Sequence, residues 1–352
     1  MKALNMIILG LVSLTLAGCD RAPEPQAPAQ EAPQESSTVQ QAPVVTEMPE
    51  GGYIFVSSEA EDVVTVLDGG TLEKITDIPT SERPRWLQFS PDRQFLYVAC
   101  GDGDSIDVIS VAELRVVDRL ATGEDPEIFD LSSDGRRLYI SNEDDAQFSI
   151  FDIESREVLA VIDVGPEPEG VLATPDGSTA WVTSEVANMV HRVDLVTNQV
   201  TANIVVGTRP RRFALSEDGG TLWVTNELSG SVSLIDTQTN TVKNTLVFEP
   251  RGFRVEDVTP VGILLDPFRD RAYVTLGRAN HVAVINTATM EVEDYVLVGN
   301  RAWGLALSGD GQRLFVANGL SDDISVIDTN SLQVTRSVSV GRTPHSIVMY
   351  SE

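Results

Sequence analysis

Two cysteines and three histidines are all that 352 residues contain, and that scarcity removes several kinds of chemistry. Cys19 closes an N-terminal apolar run, which leaves Cys100 as the only thiol of the body. No disulfide can form there, and a lone cysteine in an oxidising compartment is best kept in a core. His191, His281 and His345 are far apart, and no His/Cys/carboxylate spacing marks a metal site. Neither a metal nor a cofactor is expected. Basic residues are also scarce: 25 Lys and Arg stand against 53 Asp and Glu, for a formal charge of −28. A nucleic-acid partner would need clustered cations, so that class is set aside. The acidic balance fits solubility in a salty medium, or attraction of a basic partner such as an exported electron-transfer protein. No apolar stretch reaches the roughly 20 residues of a membrane helix. There is no Gly-rich phosphate loop, no Gly-x-Ser-x-Gly elbow and no Cys-x-x-Cys-His for covalent haem. Nothing in the body has helical periodicity over a helical length.

The N-terminus reads as an address. Lys2 precedes a short apolar run from Met6 to Leu16, too short to span a bilayer and suited to a secretory signal over residues 1–18. Leu16-Ala17-Gly18-Cys19 resembles the lipobox of bacterial lipoproteins, which implies cleavage before Cys19 and its acylation. The alternative is a plain signal peptide with a chance cysteine. Acylation would make a lipid anchor the only membrane attachment. The expected place is the periplasmic side of the envelope, and Asp20, which resembles the inner-membrane retention signal of enteric bacteria, favours the inner membrane. Residues 19–50 are rich in Pro, Gln, Ala and Glu, too poor in apolar side chains to fold. They read as an extended tether.

The remainder is a repeat. Phe55, Tyr97, Tyr139, Trp181, Trp223, Tyr273 and Phe315 recur in near-identical settings such as IFVSS, LYVAC and LWVTN. The interval between them is 42 residues except for one of 50. Pro84, Pro126, Pro168, Pro210, Pro260 and Pro344 keep the same register, with Ala302 in the seventh place. One unit divides into four strand-like segments: Pro168–Ala173, Thr179–Ser184, Met189–Asp194 and Val200–Val206. Pro175-Asp176-Gly177 suits a tight hairpin. Asp194 opens an Asx-x-x-Ser/Thr turn that recurs at Asp68, Asp152, Asp236, Asn286 and Asp328. Four antiparallel strands per unit make a propeller blade, and seven marks make seven blades. The expected fold is therefore all-β, a seven-bladed propeller over residues 51–352. The first unit lacks a first strand and the last overruns at Thr343–Tyr350. The C-terminal strand should complete the N-terminal blade and remove an exposed sheet edge.

These units resemble the YVTN family of β-propeller repeats through Tyr273-Val-Thr and Trp223-Val-Thr-Asn226, and the similarity covers essentially all of Gly51 to Glu352. More specific segments are Gly123-Glu-Asp-Pro-Glu127, Asn142-Glu-Asp-Asp145, Arg209-Pro-Arg211 and Gly299-Asn-Arg-Ala-Trp303. In that order they resemble the propeller lipoproteins associated with catabolism dependent on pyrroloquinoline quinone (PQQ). The resemblance implies an exported protein linked to periplasmic alcohol oxidation, with a quinoprotein dehydrogenase or cytochrome as partner. The repeats lack the tryptophan docking motif of those dehydrogenases, and seven blades is one fewer than they use.

Loops from strand two to three, and from strand four to the next blade, emerge on one face. The former offer Glu59, Asp102, Asp104, Glu143, Asp144, Asp145, Glu185 and Glu227, together with Arg278 and Asn318. The latter lead into the innermost strands at the channel mouth. They bring Arg83 and Arg85, Asp125 and Glu127, Glu167 and Glu169, Arg209 and Arg211, Arg254 and Glu256, Arg301 and Trp303, then Arg342 and His345. Two blade entries are acidic and the others largely basic, so a polarised funnel is one expectation. Paired arginines there would bind a small organic anion, and Trp303 would stack on a flat ligand. The other expectation is that Arg and Glu of neighbouring loops neutralise one another. The candidate binding set is Arg83, Arg85, Glu127, Glu169, Arg209, Arg211, Arg254, Arg301, Trp303 and His345. The extra eight residues of the long interval fall within Phe248–Asp257 and read either as a lid carrying Arg251, Phe253 and Arg254, or as neutral loop growth. His191 and His281 read as structural or surface residues, and His345 as a base or axial ligand. Three functions follow: a non-enzymatic accessory or binding protein of PQQ-dependent oxidation, a lactone hydrolase using Arg, Glu and His345, or a quinone- or tetrapyrrole-handling protein. Propellers host too many functions for the fold to choose.

Overall fold

The computed structural model describes residues 48–351. The signal segment, Cys19 and the tether up to residue 47 lie outside the described residues. From Met48 the chain is already packed, since Met48 lies against the cluster of Tyr53, Phe55 and Val66.

Seven four-stranded antiparallel sheets form the ring. The first strand of each is innermost, and six sheets are contiguous in sequence. The seventh is closed by Pro344–Tyr350 pairing with Tyr53–Ser58, with Tyr53 opposite Tyr350 and Phe55 opposite Val348. The unit that begins at Pro168 has its four strands at Pro168–Ala173, Thr179–Ser184, Met189–Asp194 and Gln199–Val205. Its fourth strand starts one residue early, because a bulge between Arg192 and Val193 shifts the pairing. Among the described residues every strand and every pairing lies between Tyr53 and Tyr350, so this part of the chain holds the closed ring by itself.

The recurring aromatics mark the second strands and are all buried between blades. At about 1.5–3 kcal/mol for each large side chain removed from water, they anchor the inter-blade core. Cys100 ends one such strand, fully buried, and burial pushes its thiol up. Each Asx turn forms as expected: Asp194 Oδ1 accepts from the amides of Val196 and Thr197, and Asp236 Oδ1 from Gln238 and Thr239.

Two further devices, each repeated with the blade, set the innermost strands. The hydroxyl one position after the buried valine or isoleucine of a second strand donates to a carbonyl of the next blade's inner strand. Ser57 reaches Arg85 O at 2.7 Å, Ser141 reaches Glu169 O at 2.6 Å and Thr275 reaches Trp303 O at 2.7 Å. Thr183 and Thr225 do the same to Arg211 and Val261. The Thr of the repeat motif is thus an inter-blade pin, absent only where Ala99 and Ala317 take its place. The second device is a side-chain staple. The last residue of the two–three loop is left-handed, and when it is Asp or Asn its side chain accepts from the amide before the next blade's motif position. Asp62 holds Arg83, Asp104 holds Asp125, Asn188 holds Arg209, Asn280 holds Arg301 and Asp322 holds Thr343. All five held residues are themselves left-handed, with φ between 42 and 62°. Small residues bring the blades together here. A Cβ on Gly170 would sit 2.0 Å from Arg211 O, and one on Gly262 would sit 2.3 Å from Trp303 O.

Candidate functional site: a charged plug over an apolar chamber

The first residue after each motif position forms a ring around the channel: Arg85, Glu127, Glu169, Arg211, Val261, Trp303 and His345. Of the ten residues expected at the mouth, nine belong to this ring or border it. They do not form an open funnel. Arg83 and Arg85 both bond to Glu127, and Arg83 also reaches Asp102 and Asp125, each at 2.9 Å. Arg85 Nε lies 3.0 Å from Glu59. Across the ring, Arg211 bonds to Glu185, lies 3.3 Å from Glu169 and 3.7 Å from Glu227. Arg209 lies 2.6 Å from Glu185 and 3.3 Å from Glu227. Arg301 reaches Glu227 at 3.4 Å and stacks on Trp303 at 4.9 Å. The acidic and basic sectors interleave because the acidic two–three loops reach inward between the arginines. Self-neutralisation, rather than a polarised mouth, is the arrangement found.

Arg254 is the exception. It is exposed on the eight-residue insertion and pairs only within it, with Glu256 at 3.1 Å and Asp257 at 3.0 Å. The insertion is anchored away from the ring. Phe248 is fully buried, and Phe253 packs edge-on against His281 with centroids 5.7 Å apart. It does not carry Arg254 to the channel. His281 Nδ1 lies 2.6 Å from Ala279 O, and His191 is buried against Asn203 Oδ1 at 2.7 Å. Both are structural, as expected.

Carboxyl groups of the plug are strongly perturbed. Burial, with the adjacent Glu127, pushes Glu143 up to about 9 and Asp125 up to about 6. Burial also lifts Glu185, to about 7, against the pull of Arg211. Burial opposes ionisation of Glu169 too, but Arg211, Arg212 and Arg85 outweigh it and hold that carboxyl well below its usual range. Asp125, Glu127 and Glu143 bring carboxylate oxygens within 4.8 Å of one another. That trio has the donor set of a cation site, which the sequence spacing did not reveal. The guanidiniums of Arg83 and Arg85 already neutralise it.

His345 is buried, 4.8 Å from Trp303 ring to ring. Burial, then Arg85 and Arg212, push its imidazolium well below the ordinary value, so the ring is neutral. Arg85 Nη2 lies 3.3 Å from His345 Nε2. A guanidinium can only donate, so Nε2 accepts and the proton sits on Nδ1. The nitrogen left over is an N–H donor, not a base.

Beneath the plug lies a chamber of about 800 Å³. It runs from Trp303 and His345 down the inner strands to the one–two hairpins, where Pro267, Phe268, Ser308 and Gly309 border it. Its walls are aliphatic and aromatic, with Leu172, Phe213, Leu264, Leu305 and Val348 among them. Sequence reasoning placed the site at the mouth and missed this chamber, together with Trp86, Gln88, Asp130 and Arg212 that line it. The signal was present. Arg212 occupies a register position that holds Trp86, Ile128, Gly170, Gly262, Gly304 or Ser346 in the other blades.

Two family models match parts of the chain, each well under half of it. Residues 91–178 match the YNCE-like beta-propeller, and residues 25–114 match the 7-bladed beta-propeller lactonases. No curated protein matches the sequence. Among solved structures, the periplasmic gluconolactonase PpgL of Pseudomonas aeruginosa is similar at 21% identity and a TM-score of 0.70, over 85% of this chain and 99% of that one. A functionally unknown protein from Desulfotomaculum acetoxidans superposes at 16% identity and a TM-score of 0.71, over 84% and 98%. A putative 6-phosphogluconolactonase from Bacteroides uniformis does so at 17% identity and 0.69, over 84% and 98%. At these identities the likeness establishes the fold. The chain is a seven-bladed β-propeller carrying YNCE-like and lactonase-like propeller segments.

Proposed function

We propose that this protein is a non-catalytic accessory of periplasmic, PQQ-dependent alcohol oxidation, anchored through Cys19 and binding a small organic molecule in its propeller channel. The pathway rests on the ordered resemblance of the blade-entry segments to the PQQ-associated propeller lipoproteins. The binding role rests on one observation above the others: the groups a propeller hydrolase would use are already engaged. The arginines and carboxylates of the mouth pair with each other, and Arg85 occupies the only basic nitrogen of His345. A quinoprotein dehydrogenase or cytochrome is the partner the pathway implies, and the acidic surface suits a basic one.

The second reading is a lactone hydrolase. It is favoured by the lactonase match over residues 25–114 and by the likeness to a periplasmic gluconolactonase. Incubation of the chain from Ala42 with glucono-δ-lactone separates the two. We expect hydrolysis at the spontaneous rate. Turnover above it that disappears in His345→Ala would install the hydrolase and remove the accessory reading. The anchor has its own test: Cys19→Ala should move the protein from the membrane pellet to the soluble periplasmic fraction, and retention in the pellet would refute lipidation.

A further inference from the structure

The register of the inner strands puts one arginine where no other blade has a charge. Arg212 lies one residue deeper than the ring, 6% exposed, among the residues that line the chamber. Its only carboxylate partner among the described residues is Glu169, 2.7 Å from Nη1. Glu169 is shared, since Arg211 Nη2 lies 3.3 Å from the same oxygen. The other buried glutamates, Glu127, Glu185 and Glu227, bond to Arg83, Arg85, Arg209, Arg211 and Arg301 on the outer side. The network is therefore balanced towards the loops and leaves Arg212 only a share of one carboxylate; Asp130, which also lines the chamber, lies two register positions deeper and accepts from Gln88 Nε2 at 2.7 Å and the Ala173 amide at 2.8 Å. Incompletely compensated buried cations are costly, and they persist most readily where a ligand completes them.

Two neutral groups point to the same chemistry. Trp86 lies under Arg212, with the guanidinium 5.4 Å from its ring, and its indole N–H has no partner among the described residues. His345 Nδ1, which carries the proton, also has none. Both residues line the chamber. A guanidinium and two N–H groups at one end of an apolar cavity can all be satisfied by an oxyanion. A cation or a plain hydrocarbon satisfies none of them.

We propose that the chamber binds an amphipathic organic anion, with its carboxylate or equivalent head against Arg212 and its apolar body between Leu172, Phe213, Leu264 and Leu305. The assignment rests on reading the channel as a small-molecule site. A chamber of about 800 Å³ lies within the range of about 300–1,000 Å³ typical of such sites. The ligand enters from the hairpin end, beside the exposed Phe268, because the plug closes the other.

The test is a fluorescence titration of the chain from Ala42 with two dyes that share an apolar body. One, 1-anilinonaphthalene-8-sulfonate, carries an anionic head, and the other, N-phenyl-1-naphthylamine, carries none. Arg212→Met should weaken the anionic dye by about tenfold or more, the scale of one charge-assisted hydrogen bond, and leave the neutral dye unchanged. Arg212→Lys should keep most of the binding. Leu172→Trp should abolish both dyes by filling the chamber. Should Arg212→Met melt too early to titrate, displacement of the anionic dye from the unaltered chain answers instead: decanoate should compete at least about tenfold better than decanol. Equal loss or equal retention of the two dyes in Arg212→Met, or equal competition by acid and alcohol, overturns the anionic head and leaves the channel reading standing. Failure of either dye to bind the unaltered chain, or indifference to Leu172→Trp, overturns the channel reading as well.

Discussion

Glu143→Gln should make this protein more stable at neutral pH, because it replaces an ionisable group of the plug with one that has no proton to lose. Glu143 lies in a two–three loop beside Glu127, which is fully buried. Burial, then the charge of Glu127 and their shared hydrogen bond, raises the carboxyl to about 9 from an ordinary value of 4.5. A raised folded value favours the native state below 4.5, and that advantage is lost as pH climbs from 4.5 towards 9. At pH 7 the unfolded chain has released this proton and the folded chain has not. At 1.36 kcal/mol per pH unit the difference is about 3.4 kcal/mol against folding. Glu143 is only partly buried, so solvent screening reduces the net to about 1–2 kcal/mol. Glutamine keeps the donor facing Glu127 and carries no proton to lose. Urea midpoints of both proteins between pH 4 and 9 measure the effect. They should agree near pH 4 and diverge in favour of Glu143→Gln by about 1–2 kcal/mol at pH 7. A variant less stable at every pH, or a gap that does not change with pH, would refute the shared-proton account.

Other perturbations test other parts of the ring. Ala146 is left-handed at φ 55°, where the neighbouring repeats carry Asp or Asn, so the Glu167 amide lacks its staple. Ala146→Asn should supply the bond and relieve the backbone, raising stability by about 1 kcal/mol in a thermal melt. Glu169→Gln removes the counterion shared by Arg211 and Arg212 and should cost about 3 kcal/mol in urea unfolding at pH 7. The depressed carboxyl contributes its stability above its unfolded value, so the deficit should shrink as pH falls below about 4. Arg254→Ala should leave both stability and dye binding unchanged, because its partners are exposed on its own loop. A loss of binding there would restore the insertion as a lid.

The ring was legible because each blade repeats the same local rules. Buried aromatics at intervals of 42 residues with one of 50, an Asx turn after six of the seven third strands and a proline opening six of the seven inner strands are spaced by the blade itself. The overrun at Thr343–Tyr350 could complete only the blade that starts at Tyr53. Which residues meet at the mouth was legible for the same reason, since register fixes the ring from Arg85 to His345. How their charges combine was not. Interleaving depends on side-chain reach between loops: Glu59 and Glu185 extend inward to arginines of the next blade, and Glu227 meets both Arg209 of its own blade and Arg301 two blades on. The tautomer of His345 depends on Arg85, 260 residues away. Arg254 misled because loop class alone places it near the channel, while Phe248 and Phe253 tie the insertion to its own blade. The chamber was hidden because its walls come from apolar positions that read, strand by strand, as ordinary core.

The measurement closest to the central claim is the native mass of the protein isolated from its own membranes during growth on an alcohol. The account predicts a fraction carrying additional mass of a small organic acid, released on denaturation and absent in Leu172→Trp. A bare mass in every preparation, together with hydrolysis of glucono-δ-lactone by the same sample, would contradict it.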